Sequence, residues 1–202
     1  MLKSLIIALI FLAAIPASAQ YSSAQIDSLV LELKKNTIID RNDTEVISIL
    51  NRLYDEILQS DKGELEPETP EILNSFLQNN GSKNSHILAL FLIYQDYFTQ
   101  LIHNDISESP DYQLLLILKL EAEIKNLYDE IPVIIYVYKA EAYETKGLRN
   151  EARTVLQEGL KKYSNSIPLK VYTYLYENEA QQKEDLVNHH SEHWMVKQFG
   201  IR

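Results

Sequence analysis

The chain has no cysteine among its 202 residues, so no disulfide staples it and its stability rests on packing alone. Five glycines and six prolines are few; that excludes glycine-rich or loop-dominated architectures and leaves room for long helices joined by short turns. Basic residues are outnumbered, 19 Lys and Arg against 29 Asp and Glu, for a net charge of −10. Such a chain repels a phosphate backbone, and no cluster of Lys and Arg offsets the repulsion, so nucleic acid is not an expected partner. After Ile15 no run is both long enough and free enough of charge to span a bilayer. No phosphate-cradling glycine loop, no Gly-x-Ser-x-Gly elbow and no His-Glu-x-x-His occurs, so no cofactor is expected.

What is there begins with a recognisable order. Lys3 precedes an apolar run from Leu5 to Ile15, then Pro16 and the small triplet Ala17-Ser18-Ala19. That is the layout of a cleavable secretory signal over residues 1–19, with Gln20 first in the mature chain. The run falls short of the roughly 20 residues of a membrane helix, so the expectation is export to a periplasm or the cell exterior. The remainder, about 180 residues, suits one compact domain with a sizeable core. Its apolar share, 46% over the whole sequence, argues against disorder.

Helical spacing dominates the rest. Ser22 and Gln25 form a capping box before Ile26, Leu29, Val30 and Leu33, predicting a helix to about Lys35. A second is expected from about Asp43 to Ser60. The charged stretch 61–69, with Gly63 and Pro67, then marks a loop or subdomain seam. Thr69-Pro70 and Ser109-Pro110 are cap-plus-proline starts for further helices, and Ser85 caps another from His86 to about His103. Later helices are predicted over 132–146, 150–163, 168–182 and 184–198. The runs Val133–Tyr138 and Val171–Tyr174 are β-branched and aromatic enough to read as strands. The first, however, continues without a turn signal into Lys139–Glu144, a helix-forming sequence, and helix is preferred.

The part spanning 132–198 repeats itself. An offset of 36 aligns Ile131 with Ile167, Pro132 with Pro168, Tyr136 with Tyr172, Tyr138 with Tyr174 and Glu141 with Glu177. With Gly147 as the turn, Tyr136, Ala140 and Tyr143 fall on one helix, and Ala152, Leu156 and Gly159 on the next. This stretch, 133–164, resembles a tetratricopeptide repeat. Lys139 stands where that family has a leucine, Arg149 where it has an aromatic and Ser164 where it has proline; the second copy carries Tyr176 at a small-residue position. The resemblance implies an all-α fold of antiparallel helix pairs stacked as a short superhelix. It also implies a concave face lined by Ile134, Val137, Glu141, Glu144, Lys170, Thr173 and Glu177.

Two patterns carry possible metal chemistry. His189-His190-Ser191-Glu192-His193 reads as His-x-x-Glu-His, which on one helix would place His189 and His193 on a shared face for zinc, beside Glu192. No acidic residue follows to complete the ligand set, and a polar helix is the preferred reading. Asp40-Arg41-Asn42-Asp43-Thr44 alternates oxygen donors as a calcium loop does, but Glu45 replaces the turn glycine and Asn51 the bidentate glutamate, so a helix cap is expected. Asn42-Asp43-Thr44 and Asn80-Gly81-Ser82 are formal glycosylation sequons. The sequence thus predicts a non-enzymatic module that binds a protein or peptide on a helical-repeat surface. The alternatives are a small zinc-dependent hydrolase and a purely structural subunit of an envelope assembly.

Overall fold

The computed structural model describes residues 23–104 and 110–202; the signal-like segment 1–19 and Ser22 lie outside the described residues. Among the described residues the chain is all-α, with ten α-helices and no strand. These are α1 (Ser23–Lys35), α2 (Glu45–Tyr54), α3 (Thr69–Gln78), α4 (Ser85–Asn104), α5 (Pro110–Leu127), α6 (Val133–Thr145), α7 (Arg149–Lys162), α8 (Ile167–Glu177), α9 (Ala180–His189) and α10 (Trp194–Gln198). A π turn, Asp55–Gln59, prolongs α2. Both strand-like runs are helical, inside α6 and α8. Residues Val133 to Tyr138 are all buried, and burial on every side of a helix overrides the modest helix-forming tendency of Val and Ile.

Two predicted helices are broken. The one expected to reach residue 182 stops at Glu177, because Asn178 turns left-handed at φ 54° and donates its N–H to Tyr174 O at 2.7 Å. The one expected over 184–198 is interrupted between His189 and Trp194, where His193 adopts extended backbone and caps α10. A helix-forming composition does not reveal a break of a few residues when tertiary partners take up the freed backbone groups.

Helices α4 to α9 pack each on its successor, and α6 also touches α8. The turn between α6 and α7 is short: Gly147 sits at φ 78°, its N–H bonding Glu144 O at 2.8 Å, and Leu148 N–H bonds Tyr143 O at 2.8 Å. That geometry folds α7 back on α6. Small residues permit the close crossing, since Ala140, Ala142 and Ala152 have no exposure. Around this row, α1 lies on α4 and α5, α2 on α4 and α6, and the π turn and α10 on α8.

The stretch 61–69 is bound to its neighbours rather than loose. Arg52 pairs with Glu56 and Glu68, each at 2.7 Å, and Glu66 N–H bonds Glu56 Oε2 at 3.0 Å. Trp194 N–H bonds Asp61 O at 3.2 Å. One apolar core runs continuously from Ile26 to Ile201. Buried Asn84 joins three segments: its Nδ2 donates to Asp40 O and to Tyr128 Oη, both at 2.6 Å, and its Oδ1 accepts Asp40 N–H at 3.0 Å.

Candidate functional site

The C-terminal halves of α6 and α8 lie side by side, and each ends in acid instead of base. Lys, Arg or His in a last turn offsets the negative end of the helix dipole; neither α6 nor α8 has one there. Helical spacing puts Glu141 and Glu144 on one face of α6, and puts Tyr172 with Tyr176, and Thr173 with Glu177, on two adjoining faces of α8. Tyr172 donates its hydroxyl hydrogen to Glu141 Oε1 across the helix pair. The Tyr172 and Tyr176 rings lie 5.6 Å apart, and the Phe199 ring stands 6.2 Å from Tyr172.

Several polar atoms there lack partners. Glu144 accepts Arg149 Nε at 3.1 Å on Oε1, while its Oε2 is buried without a hydrogen bond. Glu177 Oε1 and Thr173 Oγ1 are likewise buried and unbonded. Orphaned acceptors are rare in folded proteins, because each forfeits its hydration without return. Burial pushes the Glu141 carboxyl up to about 7 against the opposing pull of the Tyr172 hydrogen bond. Burial, then the Glu141 charge, raises Tyr172 well above the usual phenol range, and burial with Glu141 and Glu144 raises Tyr176. Glu141 nonetheless keeps partial exposure, as do Glu144, Tyr176 and Glu177. The C-terminal halves of α6 and α8 thus carry an acidic, tyrosine-rich surface in which the Tyr172 hydroxyl holds Glu141 and Arg149 holds Glu144.

The concave face expected from sequence is therefore corrected in part. Ile134 and Val137 have no exposure and belong to the core, in a helix on which α2 packs. Lys170 pairs with Asp185 of α9 at 2.7 Å and is mostly covered. Glu141 and Glu144 do come together, but with Tyr172 and Tyr176, which were not among the residues expected on that face. A signal existed, since Tyr176 occupies a position where the repeat wants a small side chain. The other departures also have partners: Lys139 pairs with Glu121 at 2.7 Å and Arg149 with Glu144 at 3.1 Å.

The zinc pattern does not form its shared face. His189 closes α9 and is exposed, its Nδ1 3.1 Å from Asp185 Oδ1, whereas His193 belongs to the next turn and is fully buried. Both His193 nitrogens are engaged: Nε2 donates to Leu58 O at 2.9 Å and Nδ1 accepts Met195 N–H at 3.3 Å. Desolvation lowers its pKa and keeps the ring neutral for that arrangement. Glu192 points instead to Lys197, at 2.7 Å. The calcium-like segment caps and bridges, with Asp40 holding Lys83 at 2.9 Å and Asn42 N–H at 2.9 Å, and Asp43 holding Glu45 N–H at 3.1 Å. No protein-family model, curated protein or solved structure matches the chain.

Proposed function

We propose that this chain is an exported, non-enzymatic binding module that holds a protein partner on the acidic, tyrosine-rich surface of α6 and α8. One observation carries the reading: buried acceptor oxygens on Glu144, Glu177 and Thr173 have no hydrogen-bond partner. Buried polar groups are ordinarily paired with protein or ordered water, and donors from a bound partner would complete these three. The α6–α7 and α8–α9 pairs, with α6 against α8, support the helical-repeat reading because stacked pairs of this kind present side chains from alternate helices on one surface. A hydrolase using His189, Glu192 and His193 has no such support, since His193 is committed to the backbone of Leu58 and Met195.

The binding site is tested with neutral substitutions that keep shape. Affinity capture from a cell-envelope extract is expected to retain a stoichiometric partner on the wild-type protein and to lose it on a Glu141→Gln, Glu144→Gln double variant. Undiminished capture by that variant removes the site. Export is checked separately by sequencing the N-terminus of the protein recovered from outside the cytoplasm, where Gln20 is expected first and Met1 would contradict the signal reading.

A further inference from the structure

We propose that α1 is an acid-released latch: a proton on His86 takes Glu123 away from Lys34, the residue that fastens the end of α1. The assignment stands on one shared oxygen. Glu123 Oε2, on α5, is held by Lys34 Nζ of α1. His86 Nε2, on α4, lies 3.6 Å from that same oxygen, beyond hydrogen-bond reach. Glu123 and His86 are 4% and 2% exposed, and neither ring nitrogen of His86 has a hydrogen-bond partner among the described residues. A buried ring in that state is kept neutral, because a charged one requires partners or water. Once protonated it is a donor and a cation, and the oxygen nearest to it is already taken. The seam between α1, α4 and α5 then holds two cations for one carboxylate. Of the two, Lys34 can leave, since its side chain is 35% exposed and reaches water, whereas His86 is enclosed.

Helix α1 docks lightly. Of its 13 residues Ile26 and Val30 are the buried ones, and Leu31 is 64% exposed. A cavity of about 210 Å³, bordered by Ile26, Leu115 and Leu118, already lies between α1 and α5. A helix of this length is marginal in water by itself, so α1 depends on what it docks against. The chain beyond α1 is fastened separately, through Asp40 to Asn84 and Lys83, so α1 can leave without disturbing it. Release uncovers Leu115 and Leu118 of α5. Among the described residues the charges acting on His86 are Glu123 from α5 and Lys34 from α1; α2 and α3, which also pack on α4, bring none to it. Lys119, 4.0 Å from the other Glu123 oxygen, is paired with Asp27 at 2.7 Å. Burial, more than Glu123 offsets, lowers His86 from 6.5 to about 4. The docked state therefore binds the proton less tightly than the released one. Docking is unaffected well above pH 6.5 and weakens as pH falls from there toward 4.

Hydrogen exchange of the α1 amides in the purified protein, scaled at each pH to the rate of an unstructured peptide, tests this. Between about pH 8 and about pH 5.5 the opening equilibrium of α1 is expected to rise about tenfold relative to that of α7, as a ring that titrates at 6.5 when released and at about 4 when docked requires. His86→Leu, with no ring to protonate, is expected to abolish the rise. Lys34→Met leaves Glu123 to His86 alone and is expected to cut the rise to about threefold or less. A rise that persists in full in either variant, or an α1 that opens no more in acid than at neutrality, overturns the latch. So does α7 opening in step with α1, which is acid loosening of the whole molecule. Should His86→Leu fail to fold, the wild-type protein decides: the His86 ring resonance and the α1 amide signals are expected to move on one pH curve, and separate curves overturn the assignment.

Discussion

A carboxyl that titrates near 4.5 in an unfolded chain and near 7 in the folded one, as Glu141 does, ties stability to pH in a direction set by which state holds the proton more tightly. Here the folded state does, so its advantage is complete below about pH 4.5 and is lost as pH rises through about 7. The groups facing Glu141 do not confuse the experiment. Tyr172 and Tyr176 from α8, Tyr138 from α6 and Tyr94 from α4 are all raised and stay neutral across this range. Glu141→Gln is therefore expected to stabilise the protein at about pH 8 by on the order of 2 kcal/mol, with the gain vanishing toward acid. Thermal melts of both proteins across pH measure this. A difference that does not change with pH would show that the substitution acts through packing.

At the scale of the helix, α7 runs between α6 and α8 at a distance set by one missing side chain. A Cβ on Gly159 would lie 2.9 Å from Leu169 Cδ1 and 3.2 Å from Tyr136 Cβ. Alanine favours a helix over glycine by up to about 1 kcal/mol, but the overlap costs about 1–3 kcal/mol. Gly159→Ala is thus expected to destabilise by about 1–2 kcal/mol in denaturant unfolding; a stabilised variant would mean that α7 can move away freely. This crossing was readable beforehand, because Ala140, Ala152 and Gly159 recur where close helices require small residues. The long helices were readable for the same reason, their apolar residues returning every three or four positions. The breaks at Asn178 and His190–His193 were not: the first is a single left-handed residue that helical spacing does not mark, and the second depends on contacts with Leu58 and Asp61, more than a hundred residues away. The acidic surface of α6 and α8 was half readable: Glu141 and Glu144 show in the helical phase of α6, but their pairing with Tyr172 and Tyr176 depends on how far α8 is shifted along α6, which spacing within one helix does not specify.

Across the whole molecule, the segment around α10 ties the far end of the sequence to its first third. Trp194 covers Gly63, whose φ of 64° and lack of a side chain both matter, since a Cβ there would come within 2.7 Å of the indole nitrogen. Strain at that backbone angle and the clash together lead to an expected loss of about 2 kcal/mol for Gly63→Ala. Hydrogen exchange is the informative measurement, with protection expected to fall in α10 and the 58–66 loop together. Loss confined to the loop would separate the two. The same tie has a consequence during synthesis. Until residues 193–201 have left the ribosome, His193 cannot meet Leu58 and Trp194 cannot cover Gly63, so the nascent chain stays short of its locked form.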